Sequence, residues 1–346
     1  MEFENRTPIA ARIDIGATGP DGTRRGLLIA KATYRFDALG RVSLDDSDPY
    51  PLRFAEEATP LGLIPKDDVP RTDDVFEVFL LGSARAPAGV AVPQMTVALS
   101  VGGLRRELIV TGDRHWLGEG ESARISSPEP FVSMPVTWSR AFGGRVEVEI
   151  DEESYFDICD DRNDEGTGFD PAAQARALGD SLRCPKGYPK FERRRHLPNI
   201  EAPDARVTSW TDAPAPEAWA PLPPTSSMHF ERALGNDETP NPSNPRIHDR
   251  AYPAWVLPAV PLDDGTVVLE GFCADGRIAF ELPRDRVGIE YVLGARTGVR
   301  WATPHALVLL ADERRFTIVH RLRFAIEAPR GDARRALLQW ESGVSS

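Results

Sequence analysis

The chain reads as mainly β: a large β-sandwich or barrel-like body with an irregular proline-rich insertion and one or two short helices. Three observations lead there. Both ends of the 346-residue sequence carry runs in which apolar and polar residues alternate, the period of a strand with one buried face. Gly102-Gly103 sits between two such runs and is the clearest hairpin signal. Of 31 prolines, thirteen fall between Pro198 and Pro261, a density that a helix interior or central strand does not tolerate. The length suits one large or two ordinary domains. We expect one domain over 1–346, with N-terminal strands over 1–150, the irregular insertion over 151–262, and C-terminal strands over 263–346 that complete the body by pairing with the first set.

The elements follow in order. Residues 9–15 alternate apolar with polar, Gly19-Pro-Asp-Gly22 supplies a turn, and 26–36 is a second β-rich run with Leu27, Ile29, Thr33, Tyr34 and Phe36. Further strands are expected over 75–81, 94–101 and 104–111. Over 145–150 the spacing puts Val146, Val148 and Ile150 on one face and Glu147 and Glu149 on the other. Residues 171–178 are alanine-rich and open with Asp170-Pro171, an N-cap followed by a first-turn proline, which predicts a short helix. Strand patterns return at 266–272, 277–282, 287–293, 306–310 and 316–324, with a turn at Asp275-Gly276. Residues 334–340 read as a short terminal helix. The proline-rich excursion also holds Trp210, Trp219, Phe230 and Trp255, so we expect it to be ordered over the β-body rather than a free linker.

The totals narrow the function classes. A formal net charge of −12 and a pI near 5.1 argue against contact with phosphate backbones, so no nucleic-acid partner is expected. Cys159, Cys184 and Cys273 are widely spaced and form no C-x-x-C pair, which reads as thiols in a reducing compartment. The N-terminus has no basic start and no apolar core segment, and no run nears the ~18 apolar residues of a spanning helix. The expectation is a cytoplasmic protein without membrane contact.

Candidate chemistry is sparse. Gly118-Glu-Gly-Glu-Ser-Ala123 fits a relaxed dinucleotide pattern, but Ser-Ser-Pro-Glu-Pro follows where a helix must start. The acidic run through Asp151, Asp157, Asp160, Asp161, Asp164 and Glu165 fails as an EF-hand, because alignment on Gly166 puts Ala172 where a bidentate carboxylate is required. It reads as a solvated acidic loop. Asp113-Arg-His115-Trp116 pairs a histidine with an acid at a strand end, without a nucleophile motif beside it. His196, His229, His248, His305 and His320 lack ligand spacing. Phe191-Glu-Arg-Arg-Arg-His196 is the strongest basic cluster and reads as paired within the chain or solvated. We expect no catalytic residue, no metal and no cofactor.

The most informative stretch is 126–144, Ser-Ser-Pro-Glu-Pro-Phe-Val-Ser-Met-Pro-Val-Thr-Trp-Ser-Arg-Ala-Phe-Gly-Gly. Pro128, Pro130 and Pro135 fix the backbone path. Phe131, Trp138 and Phe142 are apolar anchors, Arg140 is a polar one, and Gly143-Gly144 allows a sharp turn. We read this motif as structural.

In order along the chain, these signatures resemble a bacterial domain-of-unknown-function family, number 2169. The resemblance is carried by Lys31-Ala-Thr33, Gly82-Ser-Ala84, Ala86-Pro-Ala-Gly89 and Gly112-Asp-Arg-His-Trp116. Pro128-Glu-Pro-Phe131, Met134-Pro135, Trp138, Arg140-Ala-Phe-Gly-Gly144, Asn163, Gly166, Gly168-Phe169 and Leu197-Pro-Asn-Ile-Glu201 continue it, and the 275–283 hairpin completes it. It spans roughly residues 8–325. Asp164 stands where the family has proline, Val69-Pro-Arg-Thr-Asp-Asp74 departs from Lys-Pro-x-Thr-Asp-Val, and Val319-His-Arg321 replaces a Trp-Arg.

The resemblance implies a non-enzymatic adaptor or chaperone from a type VI secretion gene cluster. Its partners would be a toxic effector and the spike-tip protein on which the effector is loaded. An acidic surface suits a basic effector segment. Trp210, Trp219 and Trp255 either pin the excursion to its own core or present a contact surface. Two other readings stay open. One is a metal-dependent or hydrolytic enzyme using Asp113, His115 and the 160–164 loop. The other is a carbohydrate-binding sandwich with exposed coplanar tryptophans.

Overall fold

A computed structural model describes residues 1–18, 24–67, 75–118, 120–151, 154–183, 196–228, 249–258, 265–274, 276–326 and 334–343. The turn expected at 19–22, the 69–74 segment, Cys184, residues 191–195 of the basic cluster, His229, Phe230, His248 and Asp275 lie outside the described residues.

The fold is mainly β, a sandwich-like body of several sheets with one short helix among the described residues. In the seven-stranded sheet, Ala10–Thr18, Arg24–Phe36, Arg315–Ala325, Thr303–Leu310, Phe76–Leu81 and Val256–Leu257 lie side by side, with Val42–Leu44 flanking Arg24–Phe36. Arg24–Phe36 runs antiparallel to Arg315–Ala325, with Thr33 opposite Thr317. The two ends of the chain therefore close the body by direct pairing, as their patterns suggest. Phe76–Leu81 is buried at every position, which is why it reads as a continuous apolar run rather than an alternating one.

The five-stranded sheet orders Ile200–Glu201, Leu104–Thr111, Gln94–Val101, Thr266–Glu270 and Arg277–Glu281. Its central hairpin turns at Gly102-Gly103, with Val101 opposite Leu104. A four-stranded sheet orders Glu2–Glu4, Arg334–Glu341, Arg286–Leu293 and Arg296–Trp301. Here the expected terminal helix is corrected: Arg334–Glu341 is a strand paired along its length with Arg286–Leu293. Ala336 and Leu338 are buried, while Arg335 before them is exposed and Leu337 between them is half-buried, so the period is two. The seven residues 334–340 are too few for local propensity to outweigh a waiting partner strand.

Two hydrophobic cores result. The larger joins the three big sheets and includes Leu28, Phe79, Leu99, Trp219, Trp255, Phe272, Leu307 and Phe316. The smaller joins Trp116, Phe142, Val146, Ile158, Phe169, Leu178, Leu197, Val207 and Trp210. It lies beneath a three-stranded sheet of Arg145–Asp151, Ser154–Asp160 and Leu182–Arg183 and the helix Pro171–Leu178. The helix starts as expected: the Asp170 side chain accepts hydrogen bonds from the backbone amides of Ala172 and Ala173.

The irregular segment begins later than residue 151, since Ser154–Asp160 is a strand. Within 196–228 and 249–258 the chain holds two-residue strands and one 3-10 turn, Pro253–Trp255. Two buried carboxylates tie this segment to the body. Buried Glu77 accepts hydrogen bonds from the amides of Arg250, 2.6 Å, and Ala251, 2.9 Å. Buried Glu217 accepts from Arg106, 2.7 Å, and from the Trp219 indole, 3.2 Å. The excursion is thereby part of the packed body.

Candidate functional site

The signature motif joins the two cores. Phe131, Met134, Val136 and Trp138 pack into the larger one and Phe142 into the smaller. Phe131 exchanges backbone hydrogen bonds with Val92, and Ser133–Pro135 pairs with Ser83–Arg85. Glu129 passes close to Gly112, where a Cβ would sit 1.8 Å from its carbonyl oxygen, so only glycine fits. Trp138 is buried and donates its indole N–H to the carbonyl of Ala220 at 2.8 Å. That bond ties the motif to the proline-rich excursion.

At Phe142–Gly143 the chain meets Thr167–Gly168 in a short parallel pair. Asn163, wholly buried, donates its side-chain amide to the carbonyls of Trp138, 2.8 Å, and Phe142, 2.9 Å. Its own carbonyl accepts from the Gly144 amide at 2.8 Å. Gly143 has φ 135° and a Cβ there would lie 2.1 Å from the Asn163 carbonyl oxygen. Asn199 plays the matching role on the other side. Its amide nitrogen donates to the Thr111 carbonyl, 3.0 Å, and to Asp113, 2.9 Å, while its oxygen accepts from Arg140, 2.9 Å. Beneath it, buried Arg114 and Glu201 form an ion pair, and Arg114 also donates to the Pro198 carbonyl at 3.0 Å. The residues that carry the family resemblance therefore converge in one knot of backbone-directed hydrogen bonds.

Above the knot opens a polar cleft of about 310 Å3, walled by Asp113, Ser139, Arg140, Thr167, His196 and Asn199. Asp113 and Arg140 approach to 3.5 Å at its rim. His115 does not line this cleft. It is exposed, bridges His196 through the backbone, and has Nδ1 3.4 Å from the Ser126 hydroxyl. Asp113 and His115 are thus not brought together on one wall.

The acidic run is not the solvated loop expected. Asp160 is wholly buried and grips Arg162 through Nε, 2.9 Å, and Nη2, 2.6 Å. Arg145 bridges Asp157 and buried Asp164, and Asp164 also accepts from Thr225 at 2.6 Å. Asp157 and Asp164 share Arg145, and Asp160 holds Arg162. Among the described residues, no three His, Cys, Asp or Glu side chains are placed to hold a metal ion. Cys159 and Cys273 are buried.

Lys31 is buried beside Asp67 and donates to the Pro51 carbonyl at 3.0 Å. Burial holds its ammonium below the ordinary lysine range, with Asp67 opposing the shift. His320, in the Arg315–Ala325 strand, is buried and held down to about 4 by desolvation, against the pull of Asp285.

The three tryptophans offered as contact residues lie in the cores. Trp219 and Trp255 are 0% exposed and meet edge to face at 6.0 Å. Trp210 is 8% exposed and packs against Trp116 at 5.2 Å. Pinning the excursion accounts for them, and their buried rings give no stacking platform. What sequence reasoning missed is the role of Asn163 and Asn199. Their only local signal is an asparagine set among glycines or after a proline.

The fold and its knot define a β-rich body whose signature side chains bind its own backbone. Residues 21–321 match a family described as an uncharacterized protein conserved in bacteria (DUF2169), and the chain belongs to that family. No curated protein and no solved structure matches it. No helix among the described residues is long and apolar enough to cross a membrane.

Proposed function

We propose that this chain is a non-enzymatic adaptor that binds a type VI secretion effector in the cytoplasm and aids its loading on the spike. The observation that carries the reading is family membership over residues 21–321, joined to the association of that family with secretion gene clusters. The geometry agrees with it: the signature residues build a rigid scaffold around Asn163 and Asn199. A scaffold whose signature side chains are fixed on its own backbone suits a protein whose task is to present a surface. The net charge of −12 favours encounter with a basic effector segment.

The test is genetic. In a strain that carries the gene, its deletion is expected to abolish secretion of one effector while the shared tube protein is still released. Unchanged secretion of every effector would overturn the reading.

A further inference from the structure

We propose that the free edge of the Arg296–Trp301 strand, with the apolar cleft beside it, binds an extended partner segment that alternates acidic and apolar residues. The inference rests on the chain being a protein-binding adaptor and concerns one local edge, whose charge is opposite to that of the whole chain. Arg296–Trp301 ends the four-stranded sheet, and no described strand pairs with its outer edge. A two-residue turn makes Leu293 and Arg296 its first pair, and Ala302 N–H bonds the Val287 carbonyl at 2.7 Å. By the alternation of an antiparallel ladder, the peptide groups of Thr297, Val299 and Trp301 then point outward. Such a row of unused donors and acceptors is a template for strand addition.

The side chains state what the added strand must carry. Val299, 50% exposed, and Trp301 share one face of the strand, while Arg296 and Arg300 share the other. No acidic residue lies in Arg296–Trp301, although the whole chain is at −12. Arg300 and nearby Arg284 are exposed and have no ion-pair partner among the described residues. A partner strand with carboxylates on one face and aliphatic side chains on the other complements this edge on both sides.

The cleft makes the edge more than a row of charges. About 310 Å3 opens beside Trp301, lined by Phe76, Pro283, Pro304, Ile318 and His320, with Arg284 also on its wall. Arg286 lies 3.9 Å over the Trp301 ring and holds it in place. Tyr34 and Trp340 both donate to Asp285, at 2.7 and 3.3 Å, which fixes the linker that carries Pro283 and Arg284. His320 is 2% exposed, and its Nδ1 has no hydrogen-bond partner among the described residues. An apolar cleft with one unsatisfied polar atom in its wall has the make-up of a side-chain pocket.

The test uses a fluorescent eight-residue peptide alternating glutamate and valine, and its lysine–valine counterpart, titrated into the purified chain. The acidic peptide is expected to bind at least about tenfold more tightly than the basic one. Hydrogen exchange at Thr297, Val299 and Trp301 is expected to slow on its addition. Val299→Pro removes an outward donor and leaves the inner ladder intact, and Arg300→Glu reverses one charge. Each is expected to weaken binding about tenfold or more, with the folded spectrum retained. Equal affinity for the two peptides, no binding near about 1 mM, or binding unmoved by Val299→Pro would overturn the proposal. A chain that captures an effector yet ignores the acidic peptide defeats this inference and keeps the adaptor reading. One that binds the peptide but captures no effector does the reverse.

Discussion

Individual residues at the knot have no slack. Gly143→Ala would bring a methyl carbon to 2.1 Å from the Asn163 carbonyl oxygen at a φ of 135°. We expect a loss of at least about 3 kcal/mol in urea unfolding, or no soluble protein at all. Asn163→Ala strips two buried carbonyls of their donor, and about 2–4 kcal/mol should go with it. The Arg114–Glu201 pair is almost wholly buried. Arg114→Met alone leaves buried Glu201 with only the Val207 amide at 2.7 Å and Arg206 at 3.6 Å and should cost about 3–5 kcal/mol, whereas the double change Arg114→Met with Glu201→Leu should recover part of that. A double variant no more stable than the single one would show that the ion pair is not the source. His320 gives a pH dependence with a definite sign. Its folded value near 4 lies below the ordinary 6.5, so the unfolded chain takes up the proton first. Stability contributed by the neutral ring is full above pH 6.5 and falls as pH drops toward 4, by about 3 kcal/mol in all. His320→Phe should flatten that part of the stability–pH curve.

Elements differ in how they hold together and in how readable they were. The excursion is secured by rings and buried carboxylates rather than by a ladder. Trp219→Ala should therefore lower global stability by about 3–5 kcal/mol, and partner binding should be affected no more than that loss explains. Wild-type stability with lost binding would return Trp219 to the contact surface. Strands with one buried face were legible because their period is two: 94–101 and 104–111 pair in the expected register. The 334–340 segment, expected as a helix, fits either period over its seven residues, and its partner strand settles the matter. The acidic run was misread for a related reason. Asp157, Asp160 and Asp164 are held by Arg145 and Arg162, pairs that composition does not announce.

At the scale of the molecule, the closing of the β-body was visible in the matching strand patterns at the two ends. The knot was visible as an unusual run of proline, glycine and aromatic residues. Its bonding partners were not, because a hydrogen bond such as Asn199 to Asp113 spans 86 positions and leaves no period. The cleft beside Trp301 was invisible for the same reason, since its walls come from five separated segments. Together these features describe a rigid scaffold that we propose acts by holding a partner. The most direct test is co-expression of the tagged chain with the products of its neighbouring genes, followed by affinity purification, gel filtration and mass spectrometry. A toxin-like or spike-tip protein recovered in a stable stoichiometric complex is the expected result. A partner-free chain that turns over a substrate would contradict it.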